Sequence, residues 1–456
     1  MTVSLPLSIL VFGFASWFGL YLIARDPRKP RLRYTGLGLL AYALLIALET
    51  LLRQGENSLS PILVRLQLPL LFLPGLCWFA AAVDLIPDDA PINAQLGRKI
   101  TVLLPGLALM LVLTGLFAPT PIRYGDPLFI ILAVLNLLLM LAAVYFVWQT
   151  YREQPSKRTL ALLLVVAIFF GLSNALLLFP ANLIPFDLIL LSIGLDMLLL
   201  DMGIAALDAF DEGEALLPDV MRSFAGAALY AGLFGGLVAV GISPEVTPRV
   251  ALLYSAVLLS ITLAVFADPI QGLIDRLIFR SPELRQKRSQ LRAVADALPR
   301  MDTGLDVLAL DEAEFARLTR RALSHLGDLG KLASSPLVHL PAIESRLAER
   351  HAPDNTLERA AELKSLLAES ITRLKPREKG DFGTSDEWRY YNVLYFPYVL
   401  GLKPYSLNGS ADHLDPAART VLAWFQTQVP ERTLHNWQNA AARLIAQDLR
   451  ERQTHS

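Results

Sequence analysis

A single cysteine, Cys77, stands in the whole chain, so no disulfide can close within it. Histidine is nearly as scarce, and all six residues (His325, His339, His351, His413, His435, His455) fall late in the sequence. The long apolar part before them offers no imidazole to a haem or metal, which weighs against a b-type electron carrier. Charge is thin as well: 18% of residues, against about 25% in an ordinary soluble protein. No run alternates cleanly at period two, so no sheet is predicted. Walker loops, HExxH helices and GxSxG elbows are missing. The letters TGLGL (Thr35–Leu39) and DFG (Asp381–Gly383) occur, the first at the start of an apolar run and the second in a turn, without the companions of a kinase. His325 is followed by Leu326, not by the carboxylate that a phosphate-accepting histidine uses as base, and no ATP-binding motif accompanies it. The chain is predicted to be no enzyme, with no cofactor and no metal site.

What is abundant is hydrocarbon. Apolar residues make up 54% of the 456, and the mean hydropathy is +0.45. A membrane crossing takes roughly 20 mostly apolar residues. Nine stretches are candidates: Ser4–Ala24, Thr35–Leu52, Ile62–Val83, Ile100–Ala118, Phe129–Trp148, Leu160–Phe179, Asp187–Leu207, Phe224–Gly241 and Val250–Ala267. The break between the last two is weak, so counts of eight or ten stay open. The first stretch is long and lacks a basic leader, which reads as an anchor rather than a cleaved signal. Lys and Arg crowd into the odd loops: Arg25, Arg28, Lys29, Arg31 and Arg33 in the first, Arg98 and Lys99 in the third, Arg152, Lys157 and Arg158 in the fifth. Arg53, Arg123 and Arg249 stand alone in the alternate loops. Basic loops stay in the cytoplasm. The expectation is a multi-pass protein of the cell membrane with its N-terminus outside and its C-terminal part cytoplasmic.

From Gln271 onward the composition changes, with 26 Lys+Arg against 24 Asp+Glu. This is soluble-domain chemistry without the strong basic excess of a dedicated nucleic-acid binder. Pro282–Leu298, Asp311–Leu326 and Leu357–Leu374 carry apolar residues at steps of three and four and are predicted helices. Glu387–Leu402 is a dense aromatic segment, also read as helix. The KPREKGDFGTSDE stretch (375–387) is the best internal boundary. The fold class is therefore all-α, a polytopic membrane helix bundle followed by an all-helical cytoplasmic domain. Its expected parts are a bundle over 1–270, a helical linker or signalling region over 271–386, and a C-terminal domain over 387–456.

Ionisable groups inside apolar spans cost about 3 kcal/mol or more and must face a bundle interior or cavity. Glu49, Asp196 and Asp201 are such groups, and Asn136, Asn174, Ser173, Ser192 and Arg65 are their candidate partners. Glu49, Asp196, Asp201, Asn136 and Asn174 are the candidate sensing residues, with helix-fixing hydrogen bonds as the plainer alternative. Gly232 and Gly236 form a GxxxG pattern, read first as close packing inside the bundle and second as a dimer contact.

Two segments resemble known families. PLLFLPGLCWFAAAVDLIP (Pro69–Pro87) resembles the membrane sensor region of bacterial multi-span histidine kinases. FADPIQGLIDRLIFR (Phe266–Arg280), through Pro269, Asp275, Arg276 and Phe279, is similar to the exit segment of those sensors. The resemblance implies a signalling module. WRYYNVLYFPYVLGL (Trp388–Leu402) followed by AARTVLAWFQTQVPERTLHNWQNAAARLIAQDL (Ala417–Leu449) resembles sigma-region-4-like helix-turn-helix modules, through Tyr391, Leu394, Tyr398, Val399, Gly401 and Leu402. On that likeness Leu422–Gln426 is the supporting helix, Val429 the buried turn residue and Pro430 the first helical residue of a reader helix, Glu431–Leu449. Leu434, Trp437, Ala441, Leu444, Ile445 and Leu449 would be its buried stripe. Arg432, Thr433, His435, Asn436 and Asn439 would face DNA near its start, where such helices touch bases. The chain departs from the family in a turn without glycine, in Pro430 where a serine cap is usual, and in an insertion over 403–416.

The expected function is a one-component membrane sensor with a helix-turn-helix-like output acting on transcription. Its partners would be the lipid bilayer and DNA, with a homodimer as a further expectation. The alternative is a membrane receptor or scaffold whose helical tail binds a cytoplasmic protein, and a transporter is a third reading.

Overall fold

The computed structural model describes residues 5–53, 60–86, 91–122, 125–153, 158–178, 185–241, 247–278, 281–301, 306–307, 309–376, 383–405 and 415–453. Those residues form an all-α protein. Nine helices stand in the apolar part: α1 (Leu5–Arg25), α2 (Pro30–Arg53), α3 (Ser60–Asp84), α4 (Pro91–Phe117), α5 (Pro127–Glu153), α6 (Arg158–Leu178), α7 (Phe186–Glu212), α8 (Leu216–Gly241) and α9 (Thr247–Val265). Nine more follow: α10 (Ala267–Ile278), α11 (Pro282–Ala297), α12 (Glu312–Ser324), α13 (Leu329–Ala333), α14 (Pro341–Glu349), α15 (Thr356–Arg373), α16 (Arg389–Leu394), α17 (Pro416–Gln428) and α18 (Glu431–Gln453). Among the described residues no strand forms, and an isolated antiparallel bridge joins Glu214 to Met301.

Helices occupy all nine predicted span positions, but fewer meet the length and apolarity of a crossing. Among the described residues seven do so (α1, α2, α3, α5, α6, α7 and α8), and α9 joins them only together with α10, across a 69° bend. In α4 the apolar stretch is the shorter Pro105–Phe117. These helices fit a multi-pass membrane protein.

The chain divides into two units. The first comprises Met1–Asp208 and Val220–Gln271. Its helices pack where side chains are smallest. A Cβ placed on Gly19 of α1 would lie 2.8 Å from the Gly36 carbonyl oxygen of α2, so only glycine lets these two backbones meet. Tyr42 on α2 donates its hydroxyl to the Leu190 carbonyl of α7 at 2.9 Å, and the indole of Trp17 on α1 donates to Ser223 Oγ on α8 at 3.1 Å. Helices α5, α6 and α8 turn large apolar residues outward, such as Leu138, Leu162 and Leu229, as lipid-facing helices do. The glycine pattern of α8 is not used as expected. No atom beyond the local backbone approaches a Cβ built on Gly232 or Gly236 within 4 Å, and in this stripe it is Gly235 that meets α9, at Val257. The reading of a close packing seam is thus corrected: Gly232 and Gly236 line an open apolar groove that α8 shares with α1 and α9, with Leu10, Phe14 and Leu253 among its other walls.

The second unit comprises Ala209–Asp219 and Gly272–Ser456. Helix starts are capped by short polar side chains: Asp311, Asp328, Asn355 and Asp415 each accept a backbone N–H of the first turn. Buried residues run as one core from Val294 to Leu449, with Phe315, Leu337, Leu367, Val393, Phe425 and Ile445 among them. Residues on both sides of the 375–387 stretch share this core, and α18 packs against α12 and α16.

Two stretches depart from a single plain helix. Gln271–Leu298 is not one rod, because α10 ends at Ile278 and Ser281 caps α11. Asp275 pairs with both Arg288 and Arg292. In a continuous helix Asp275 and Arg288 would stand about 20 Å apart, so the chain turns back between them. The aromatic segment also departs from a plain helix. A 3-10 turn (Asp386–Trp388) leads into α16, a π-helical turn covers Tyr395–Val399, and Gly401 at φ +72° ends the run. Pro397 is the cause: without an N–H it leaves the Val393 carbonyl without its helical donor.

Candidate functional site

The polar groups of the first unit fall into separate places. On α7, Asp196 accepts a hydrogen bond from Ser173 Oγ of α6 at 2.8 Å, and Ser173 lies 2.9 Å from Ser192 Oγ. This acid–serine cluster brings Asp196 together with two of its predicted partners. Asn174 donates to the Phe170 carbonyl of its own helix, and Arg65 donates to the carbonyls of Leu116 and Ala118. Glu49 accepts from Gln67 Nε2 at 2.5 Å. Asn136 packs against Gly75, where a Cβ would collide with its amide, and its Nδ2 finds no acceptor among the described residues. Asp201 is only 2% exposed, and its Oδ2 accepts no hydrogen bond there. A buried carboxylate oxygen without a donor is costly in its charged form.

About two turns beyond Asp201 on α7 lies a residue that sequence reasoning passed over. Asp208, 2% exposed, meets Lys29 Nζ at 2.6 Å, Arg31 Nη2 at 2.8 Å and Arg25 Nε at 3.6 Å. The backbone N–H of Arg31 also donates to Asp84 at the end of α3. The first basic loop, the end of α3 and the end of α7 therefore share one end of the bundle. Asp208 lies just past the predicted Asp187–Leu207 span, and an orientation argument that counts only Lys and Arg gives it no weight.

Helix α7 continues unbroken to Glu212, and its last turn, from Ala209, belongs to the second unit. There Glu212, almost fully buried, holds Arg321 Nη2 at 2.9 Å and His325 Nε2 at 3.0 Å, both from α12 and its C-cap. The carboxylate missing beside His325 in the sequence thus arrives from 113 residues away. Arg317 donates to the carbonyls of Phe210 and Asp211 and covers the Phe210 ring. Ser334 donates to Glu214. The last turn of α7 is therefore bound to α12 by several charge-assisted contacts, and α12 is a direct neighbour of α18.

Helices α17 and α18 are joined by Val429 and Pro430 alone. The supporting helix is longer than expected, starting at Pro416 behind the Asp415 cap. Val429 is buried, and Tyr405 donates its hydroxyl to the Val429 carbonyl at 2.6 Å. Most of the 403–416 insertion lies outside the described residues. On α18, Arg432, His435 and Asn436 are exposed, while Thr433 and Asn439 are half-buried. The buried stripe contains Leu434, Ala441, Ile445 and Leu449, and Trp437 stacks on Trp424 at 5.9 Å. Leu444 is a correction: it is 44% exposed, because Ala442 and Ala446 form the close contact instead. Gln438, 4% exposed, is the residue the pattern missed. Its Nε2 donates to the Val393 carbonyl at 3.1 Å, the acceptor that Pro397 strips of its helical partner. A polar residue in an apolar stripe was the available signal.

Burial pushes the Tyr391 phenol up to about 12, with the neighbouring Tyr395 adding to it. For Glu369 burial acts upward, yet the hydrogen bond and charge of Arg346 outweigh it and hold the carboxyl below the usual range. Among the described residues no three His, Cys, Asp or Glu side chains converge as a metal site. No family model, curated protein or solved structure matches the chain.

Proposed function

We propose that the chain is a membrane-embedded signalling protein, a one-component sensor whose cytoplasmic output is the α17–α18 pair. The observation that carries this reading is the continuity of α7. The helix bears the Asp196 cluster and the Asp208 ion cluster, and its end is bound through Glu212 to α12, which in turn packs on α18. A small rotation or shift of α7 would act directly on the element that supports α18, as in helix-shift switches. The Asp196–Ser173–Ser192 cluster is the candidate sensing point, with Asp201 and Asn136 contributing unsatisfied polar atoms to the same unit. The cytoplasmic placement of the second unit rests on the basic loop that shares the Asp208 end. The likeness of Pro69–Pro87 and Phe266–Arg280 to bacterial sensor segments supports the same class.

The output reading is DNA contact by Arg432, Thr433, His435, Asn436 and Asn439. It is supported by the exposure of Arg432, His435 and Asn436 at the start of α18. One observation favours a second reading, a tail that binds protein: Leu444 leaves an apolar spot on α18, and the tail holds only two more basic than acidic residues. The test uses the whole chain in nanodiscs, since a fragment starting near 380 would cut through the shared core. Binding to genomic DNA fragments is measured against salt. DNA readout predicts a steep salt dependence and a loss of about 1–3 kcal/mol for Arg432→Ala or Asn436→Ala. Absent or salt-insensitive binding, or indifference to both substitutions, removes the DNA reading and leaves the protein-binding tail.

A further inference from the structure

A single residue, Phe266, separates α9 from α10, and the two meet at a 69° bend that falls within the first unit. Twelve residues give α10 a length of about 18 Å, too short to cross the hydrocarbon layer. Its apolar residues sit at Ile270, Leu273, Ile274, Leu277 and Ile278, the spacing of one continuous face. That face is open: Leu273, Ile274, Leu277 and Ile278 are all exposed, Leu277 by 79%. The opposite side is taken, since Asp275 is buried and held by Arg288 and Arg292 of α11. Helix α11 adds exposed Leu284 and Leu291, one heptad apart, with exposed Lys287 and Arg288 on either side of their line.

We propose that α10 is an interfacial helix lying on an anionic lipid surface: its apolar face enters the acyl boundary while Arg276 of α10 and Arg285 and Lys287 of α11 meet headgroup phosphates. Two features choose this occupant. The helix is continuous with a segment that already runs in the apolar part, so the interface is where its first turn starts. The charge also fits: residues 267–297 carry six basic and four acidic side chains. A second copy of the same hairpin would meet a like-charged surface, whereas an anionic leaflet attracts it. The inference needs only a membrane-embedded α9 and is independent of the signalling reading.

The experiment places a spin label at Leu277→Cys, Leu284→Cys or Ser289→Cys in full-length protein whose native Cys77 is replaced by alanine. Ser289 is exposed on another face of α11 and serves as the aqueous reference. Collision with lipid-soluble oxygen is compared with collision with a water-soluble nickel chelate. The discs contain either phosphatidylcholine alone or an equal mixture with phosphatidylglycerol. The expected result is a lipid signature at Leu277→Cys in mixed discs and at Leu284→Cys only there, with Ser289→Cys in water throughout. Adding Arg276→Gln and Lys287→Gln should lower the preference for the anionic discs roughly tenfold or more. An aqueous signature at Leu277→Cys overturns the proposal. So does protection from both quenchers, which would mean that protein covers the face. Equal behaviour in the two lipids, or indifference to the two neutralising substitutions, overturns the anionic preference.

Discussion

Asp208 shows how much one carboxylate can organise. It stands among Arg25, Lys29 and Arg31, and Arg25 is itself buried. Removing one member of such a group leaves buried charge without compensation, which costs about 3–5 kcal/mol. Asp208→Ala should therefore lower the unfolding free energy of the detergent-solubilised protein by that order, and Arg25→Met added to it should restore part. An unfolding midpoint within about 0.5 kcal/mol of the parent, the scatter of ordinary surface changes, would show that the cations reach other partners without loss. Asp196 is a milder case: it has a hydroxyl partner rather than a cation, and hydrogen bonds between membrane helices contribute only about 0.6–1.7 kcal/mol.

Between elements, the join of α16 to α18 depends on a compensation. Pro397 takes a donor away from Val393, the backbone relaxes into a π-helical turn, and Gln438 supplies the missing hydrogen bond from α18. Gln438→Leu keeps the apolar volume but leaves a buried carbonyl unsatisfied, a penalty of about 1–3 kcal/mol. Hydrogen exchange should then quicken in α16 and the first half of α18 while α15 is unchanged. Equal exchange in parent and variant would mean that water replaces the amide. The same scale explains why α10 and α11 fold back on one another. Residues 267–297 do not form one rod, and the pairing of Asp275 with Arg288 and Arg292 holds α10 and α11 against each other.

For the molecule as a whole, the second unit should have a stability plateau bounded by identifiable groups. Tyr391 is raised from 10.0 to about 12 by burial. A raised value means that its contribution is fully present below pH 10 and is lost as pH rises through about 12. Glu369 is held below its ordinary 4.5, so its contribution is present above that pH and disappears as pH falls below it. Tyr391→Phe should move the alkaline unfolding midpoint upward, read by tyrosinate absorbance together with hydrogen exchange in α16. An unmoved midpoint would assign the alkaline transition to other groups. Helix α7 also belongs to this scale, since it gives residues to both units.

Much of the architecture was legible along the chain. Hydrocarbon length and helical periodicity located the helices of the apolar part, because a segment in lipid must satisfy its backbone within itself. The charge shift near Gln271 and the helix periods of Pro282–Leu298, Asp311–Leu326 and Leu357–Leu374 were equally readable, since local spacing sets amphipathic helices. The buried Val429 and the exposed Arg432, His435 and Asn436 at the start of α18 were expected from the helix-turn-helix resemblance, not from spacing. What stayed hidden depends on residues far apart in sequence: Asp208 meeting the first loop, Glu212 meeting His325, and Gln438 meeting Val393. So do the open groove lined by Gly232 and Gly236 and the exposure of Leu444. Composition and period decide which segments leave water, because that transfer is a property of each segment alone. Only the tertiary structure decides which charges and carbonyls meet, because a partner's worth depends on geometry that no local window contains.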